Sequence, residues 1–255
     1  MNVIQIVFSP TGGTQKVADT ITGEWGTTRQ KIDLTDAAAD HTAVQLTKED
    51  LILIAVPSFG GRVPALAAQC FSKINGNDAQ CVIVCVYGNR AYEDTLIELN
   101  DIASGNGFRV IAAVSAIAEH SIMRQYATGR PDSQDQKQLC GFAKKIWEKA
   151  NAPGQPKTVL SLPGSRPYKK AGGTGVVPKA NNACTGCGLC ADHCPAQAIS
   201  KTSLKSADKA KCVSCMRCVA RCPGSARHVN GVLVSIAAQA IKKACSVKKE
   251  NELFI

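Results

Sequence analysis

The chain has 255 residues, 45% of them hydrophobic, with 30 Lys+Arg against 20 Asp+Glu, a formal net charge of +10, and 13 Cys. No apolar run approaches the roughly 18 residues of a spanning helix, and the start of the chain has neither a basic n-region nor an apolar h-region, which argues against a membrane span and a secretory signal. Cysteines in such number without a signal suit metal binding in a reducing cytoplasm better than disulfides, and the length accommodates one ordinary domain plus a small one.

Residues 3–8 (VIQIVF) read as a buried strand, followed at once by Ser9-Pro10-Thr11-Gly12-Gly13-Thr14 and a helical pattern over 15–24. A strand, a loop rich in glycine and hydroxyls, and a helix make a phosphate cradle, because the helix N-terminus offers free N–H groups and the positive end of its dipole. No Lys follows in a GKT or GKS arrangement, so the loop is not a nucleotide P-loop, and it is not GxGxxG either. An ordinary capped turn is the competing reading. Residues 29–34 give a second strand, 51–56 (LILIAV) a third buried on both faces, and 64–74 a helix. Residues 81–87 (CVIVCVY) give a fourth strand, 92–102 a helix, and 109–117 a fifth strand. Residues 134–150 form a closing helix with Leu139, Phe142, Ala143, Ile146 and Trp147 on one face. Five strands alternating with helices predict an α/β fold with a doubly wound parallel sheet, whose ligands sit beyond the carboxyl ends of the strands.

The loops at those ends carry the candidate site. They are Pro57-Ser58-Phe59-Gly60-Gly61-Arg62 after the third strand, Tyr87-Gly88-Asn89-Arg90-Ala91-Tyr92 after the fourth, and Glu119-His120-Ser121 after the fifth. Two aromatic-bearing loops beside a phosphate site suit a flat flavin ring, which Gly60, Gly61 and Gly88 would let the backbone approach. The expected contacts are Ser9, Thr11, Gly12, Gly13, Thr14, then Pro57, Ser58, Phe59, Gly60, Gly61, then Tyr87, Gly88, Asn89, Arg90 and Tyr92. His120 is a candidate proton donor to flavin or substrate, against a structural loop histidine. Arg62 and Arg90 could serve the carbonyl edge of the flavin or an anionic substrate, or simply face solvent. Cys70, Cys81, Cys85, Cys140 and Cys245 fall within strand or helix patterns and read as inert thiols.

Residues 151–180 carry five prolines, Pro153, Pro156, Pro163, Pro167 and Pro178, together with Gly172-Gly173-Thr174-Gly175, and read as an extended linker. The glycine run is no dinucleotide motif, since no strand precedes it and no helix follows. Next comes Cys184-x2-Cys187-x2-Cys190-x3-Cys194-Pro195, and then Cys212-x2-Cys215-x2-Cys218-x3-Cys222-Pro223, each cysteine 28 residues after its counterpart. Three thiolates within seven residues wrap a loop around one face of an iron–sulfur cube, and Gly186 and Gly188 let that loop turn. A zinc ribbon pairs two dyads instead, and a disulfide framework suits a secreted chain. This is the spacing of two-cluster bacterial ferredoxins, in which the fourth cysteine of each run ligates the other cluster. The resulting assignment is Cys184, Cys187, Cys190 and Cys222 for cluster one, and Cys212, Cys215, Cys218 and Cys194 for cluster two. His193, between two ligands, reads as a neighbour. Residues 232–247 show Leu233, Ile236, Ala237, Ala240, Ile241 and Ala244 at helical spacing, as expected for a helix packed on the body.

Charge divides unevenly: residues 1–150 hold 14 basic and 16 acidic side chains, 151–230 hold 12 and 2, and 231–255 hold 4 and 2. Two oxidised 4Fe-4S clusters contribute about −2 each and a flavin phosphate about −2, so much of the basic excess offsets cofactors. No aromatic-interleaved basic stripe suggests nucleic acid. A residual positive surface would steer an acidic protein partner.

Residues 1–150 resemble a flavodoxin, a five-stranded fold of order 2-1-3-4-5 with FMN at the switch point. The SPTGGT loop is similar to the flavodoxin T-x-T-G-x-T loop through Ser9, Thr11, Gly12 and Thr14; Ser9 keeps the hydroxyl of the usual Thr, and Gly13 stands where Asn or Lys is common. The whole chain resembles the flavodoxin–ferredoxin fusions of anaerobic bacteria, through the Tyr-Gly-Asn-Arg and Phe-Gly-Gly-Arg-Val-Pro loops, residues 163–168, and the Glu-Asn-Glu-Leu-Phe terminus. The resemblance implies a flavodoxin-like FMN domain (1–150), a Pro/Gly-rich linker (151–180), a small α+β ferredoxin-like domain with two 4Fe-4S clusters (181–230), and a C-terminal helix and tail (231–255). It implies a cytoplasmic electron carrier that converts between one- and two-electron transfer with a redox protein partner, since no dinucleotide module is visible. Whether the chain is also an enzyme stays open: a reductase of a quinone, nitro or unsaturated acceptor is the alternative, and a redox sensor is a further one.

Overall fold

The computed structural model describes residues 1–153, 160–172 and 175–255. The apolar runs of the first half become strands β1 (Asn2–Val7), β2 (Thr28–Asp33), β3 (Asp50–Pro57), β4 (Gln80–Tyr87) and β5 (Arg109–Ile117). All four pairings among them are parallel, in the order β2-β1-β3-β4-β5. Helices α1 (Gly13–Gly23), α2 (Ala65–Phe71), α3 (Thr95–Gly105) and α4 (Ser133–Asn151) connect them or close the layer. The helix expected over 92–102 starts later, because Glu93 at φ 43° and the Thr95 N–H to Tyr92 carbonyl bond hold residues 92–94 in a turn.

Both faces of the sheet are covered, which is why its central strands are apolar at every position rather than at alternate ones. Leu51, Leu53 and Ala55 of β3 pack with Val17, Ala18 and Ile21 of α1 and with Leu139, Ala143 and Ile146 of α4. The alternate residues Ile52, Ile54 and Val56 pack with Ala67 and Phe71 of α2 and Leu96, Leu99 and Ala103 of α3. At roughly 1.5–3 kcal/mol for each large side chain buried, these two layers supply the main cohesion of the fold. α4 begins at a reciprocal cap, in which the Asp132 carboxylate accepts from the Gln134 and Asp135 amides and Asp135 accepts from Asp132.

The second half is smaller. A two-residue ladder between β6 (Lys179–Ala180) and β7 (Arg227–His228) closes the cysteine segment at its two ends. Between them lie two short turns of helix, α5 (Leu189–Asp192) and α6 (Arg217–Ala220), each starting two residues after a cysteine. The repeat is a repeat of backbone as well as of cysteines. Gly186 and Ser214 have φ 73° and 55°, Gly188 and Met216 have φ 80° and 61°, and Gln197 and Ser225 have φ 47° and 48°. The second run thus places Ser214 and Met216 in the left-handed region that the first run fills with glycine, at a cost of about 1 kcal/mol or more each.

Helix α7 (Gly231–Cys245) starts at Asn230, whose side chain accepts from the Val232 and Leu233 amides. Its inner line is Ala238 and Cys245, whereas Leu233 and Ile236 of the anticipated apolar stripe are 53% and 64% exposed. The helix meets the body along one narrow line, which takes residues seven apart and leaves the neighbouring stripe uncovered. The tail then adds an unanticipated sixth strand, β8 (Glu252–Phe254), antiparallel to β5. Asn251 directs it: its Oδ1 accepts from the Ile117 amide at 2.9 Å, and its Nδ2 donates to Asp135 and Gln138. Asp135 is itself buried in an ion pair with Arg130, which donates further to the Lys249 carbonyl.

Candidate functional site

The carboxyl ends of β1, β3, β4 and β5 open onto one cavity of about 380 Å³. That is within the usual range of small-molecule sites, roughly 300–1,000 Å³. One end is lined by Pro10, Thr11, Gly13 and Thr14 at the start of α1. Gly12 caps that helix at φ 94° with no side-chain cap bond, so the amides of the first turn are not covered by a side chain of the cap residue. Ser9 serves differently from expectation: its hydroxyl accepts from the Gln15 amide at 2.9 Å, which spends it on holding the loop.

The walls come from Pro57, Ser58, Phe59 and Gly60, from Tyr87 and Gly88, and from the segment Ala118–Ile122. Ser58 is fixed by its amide on the Val86 carbonyl and its hydroxyl on Thr95. Phe59 stands edge-on to the core ring of Phe8. Gly88 has no room for a side chain, since a Cβ there would lie 2.6 Å from the Cβ of His120. His120 accepts at Nδ1 from the Ile122 and Met123 amides, both at 3.2 Å, which fixes its proton on Nε2. Burial, and then the charge of Arg90, hold its pKa below the ordinary histidine value.

Six of the anticipated contacts do not line this cavity: Ser9 and Gly12 of the first loop, and Gly61, Asn89, Arg90 and Tyr92. Gly61 packs under Glu93. Asn89 is buried against the C-terminal segment, donating to the Cys245 and Val247 carbonyls and accepting from the Lys249 amide. Arg90 pairs with Glu93, and Tyr92 donates to Glu252. Asn89, itself at φ 64°, and Tyr92 hold the tail instead. Arg62 does border the cavity, but Glu98 takes its guanidinium at 2.7 Å through both Nε and Nη2, and it stacks 4.9 Å over Tyr168.

Two contributors carried no sequence signal that the strand-end rule could find. Ala171 and Gly172 of the linker lie over the cavity, with the Gly172 carbonyl 3.0 Å from where a Cβ of Gly60 would stand. Asp94 holds the linker there by accepting from the Ser165 and Lys169 amides, and Asp101 by accepting from Arg166 and Tyr168. The density of donors over 165–169 opposite two aspartates is the signal that was available. The glycine run at 173–174 lies outside the described residues. The second contributor is Cys212, Val213, Ser214 and Cys215, which form the remaining wall.

Those cysteines also belong to a second, smaller cavity, lined by Cys194, Cys212, Cys215 and Cys218. A third is lined by Cys184, Cys187, Cys190 and Cys222. Each combines three cysteines of one run with the fourth of the other, the grouping that the resemblance to two-cluster ferredoxins implies. Donors already face the sulfurs: the Ala198 amide to Cys194 at 3.3 Å, and the Ala226 amide, 28 residues on, to Cys222 at 3.2 Å. Burial raises the Cys215 thiol to about 12, so loading this site with metal must drive its proton off. At Cys222 burial opposes ionisation, but the amides of Arg227, Ala226 and Gly224 outweigh it and hold the pKa low. His193 is exposed and lines neither cavity. Of the remaining cysteines, Cys81 and Cys85 are fully buried with thiols raised by desolvation, while Cys70 and Cys140 are only half-buried.

Residues 183–227 match the family described as a 4Fe-4S dicluster domain. This chain joins a flavodoxin-like sheet to a 4Fe-4S domain. The first part rests on the observed strand order, 2-1-3-4-5, and the second on the family match. Among solved structures, flavodoxin 1 from Bacillus cereus is 16% identical over 57% of this chain and 97% of its own, at TM-score 0.43. A flavodoxin from the domain Archaea is 15% identical over 60% and 100%, at 0.41. A Streptococcus pneumonia flavodoxin is 18% identical over 58% and 99%, at 0.41. No curated protein matches the chain. No helix among the described residues is long and apolar enough to cross a membrane. The combined architecture supports electron transfer involving a flavin and iron–sulfur.

Proposed function

We propose that the chain is an electron-transfer protein holding one FMN in the 380 Å³ cavity and a 4Fe-4S cluster in each of the two cysteine-lined cavities. The observation that carries this reading is shared lining: Cys212 and Cys215 border both the large cavity and the cavity of cluster two. Electron transfer is fast only between close centres, and in this reading cluster two lies against the flavin. Thr11, Gly13 and Thr14 would hold the phosphate, and Phe59 and Tyr87 would flank the ring. FMN supplies two-electron capacity and each cluster passes one electron. Cys187 is the exposed ligand of cluster one, so electrons exchange with a redox protein partner at that end, and the basic surface favours an acidic one.

Anaerobically prepared protein is expected to contain about eight iron, eight acid-labile sulfide and one FMN per chain. Zinc without sulfide, or full-length protein unable to take up FMN, would sink this reading. A second reading, reduction of a small acceptor at the flavin, is favoured by His120, which borders the cavity with its proton held on Nε2. Turnover with a panel of quinone, nitro and unsaturated acceptors, lost in His120→Ala while electron transfer stays intact, would favour it over the carrier.

A further inference from the structure

The 28-residue repeat exchanges an aliphatic residue for an arginine at two positions that touch the cysteine-lined cavities. Leu189 of the first run is matched by Arg217 in the second, and Ile199 by Arg227. Leu189 and Arg227 border the cavity of cluster one, and Ile199 and Arg217 border that of cluster two. Each cavity therefore receives one aliphatic side chain and one guanidinium, taken from non-equivalent places in the repeat. A duplication alone would have put both arginines at the same place in each half.

Both arginines are buried, Arg217 at 6% and Arg227 at 3% exposure, and in both the Nε is enclosed without a hydrogen-bond partner. Arg227 turns its other nitrogens to the Leu204 and Pro178 carbonyls and, at 3.6 Å, to Cys190 Sγ, and its side chain also hydrogen-bonds Cys218 of the other cavity. Arg217 reaches the other way, toward the flavin loop: Nη1 lies 3.4 Å from the Ser9 carbonyl and Nη2 3.5 Å from the exposed Asp33 carboxylate. These are long contacts. A buried cation so weakly paired is costly unless an anion stands beside it. A 4Fe-4S cluster on four thiolates is such an anion, about −2 when oxidised and about −3 when reduced. Positive charge and N–H donors at its sulfurs stabilise the reduced form more than the oxidised form.

We propose that Arg227 and Arg217 set the reduction potentials of clusters one and two respectively, each through an Nε–H donated to cluster sulfur, and that Arg217 at the same time ties cluster two to the flavin loop. The inference rests on reading the two cavities as 4Fe-4S sites. One electron enters the cluster on reduction, and no bond to the guanidinium forms or breaks.

The test is an anaerobic titration of full-length holoprotein, followed by EPR, for the unsubstituted chain, Arg217→Leu and Arg227→Ile. These variants install the residue that the opposite half of the repeat carries. Each is expected to lower one cluster couple at least tenfold in its reduction equilibrium, about 59 mV for one electron, and the couple that moves most is expected to differ between the two variants. Unmoved couples, or the same couple moving most in both variants, would overturn the proposal. If the leucine variant loses iron, Arg217→Gln, which keeps a donor without the charge, is read in the same way. Loss of cluster two alone in both variants would mark Arg217 as an assembly residue and overturn its assignment as a potential-setting one. Iron and sulfide counts on the unsubstituted chain judge the cluster reading separately: eight of each with unmoved potentials overturns the arginine proposal and leaves that reading standing.

Discussion

Gly88 and His120 define the tolerance of the cavity wall at the level of single atoms. An alanine at 88 would place its Cβ 2.6 Å from the Cβ and 2.7 Å from the Cδ2 of His120, so either β4 or the histidine loop must move. Gly88→Ala is expected to lose about 1–3 kcal/mol of stability, the usual cost of overpacking, and to weaken FMN binding at least tenfold; denaturant melts and FMN titration measure the two. Unchanged melts would show that the wall yields freely. His120 has a second consequence, in pH. Its pKa is lowered from 6.5 by burial and then by Arg90. A neutral histidine is therefore favoured in the fold, and its contribution to stability is present above pH 6.5 and declines as pH falls from there through the lowered folded value. Histidine NMR should give a His120 midpoint below 6.5, and a midpoint at or above that value contradicts the burial argument.

At the scale of elements, two segments outside the sheet's parallel core hold the site together. The linker is clamped by Asp94, whose pKa is lowered by the Lys169 and Ser165 amides, and by Asp101, lowered by Arg166 and Tyr168. Both carboxyls titrate below 3.8 in the fold. Their hold is complete above that value and is lost as pH falls through the depressed folded values. Asp101→Asn removes one anchor at neutral pH, and trypsin should then cut at Lys169 and Lys170 several-fold faster; an unchanged rate would mean that Asp94 suffices. The tail depends on Asn251, and Asn251→Ala leaves the Ile117 amide and buried Asp135 each short of a partner. A loss of about 1–3 kcal/mol is expected in equilibrium unfolding. Neither segment was legible from periodicity, because a three-residue strand and an extended linker have none. The strands of the core were legible, since burial on both faces makes them apolar throughout. The turn at Asn89–Tyr92 misled for a related reason: proximity to a strand end places a residue near the site, but the φ of 64° at Asn89 and of 43° at Glu93 decide which way the chain then turns.

For the whole molecule, the sequence carries two modules and the structure supplies their junction. The eight cysteines and the strand–loop–helix start were readable as separate chemistries, and the crossed allocation of cysteines is what the resemblance to two-cluster ferredoxins implies. What no local pattern encodes is that Cys212 and Cys215 form a wall of the flavodoxin-like cavity, because that depends on long-range packing of the second run against the first strand's loop. The positive charge of residues 151–230 acts at this junction through Arg217, as well as compensating thiolates across the cluster half. The central claim is that one flavin lies against one of two clusters. It is tested most directly by adding FMN to anaerobic, flavin-free protein that carries about eight iron and eight sulfide, and recording the EPR spectrum of the reduced clusters before and after. The account predicts that one FMN binds per chain and that the signal of one cluster changes while the other does not. FMN that binds and leaves both signals unaltered would contradict it.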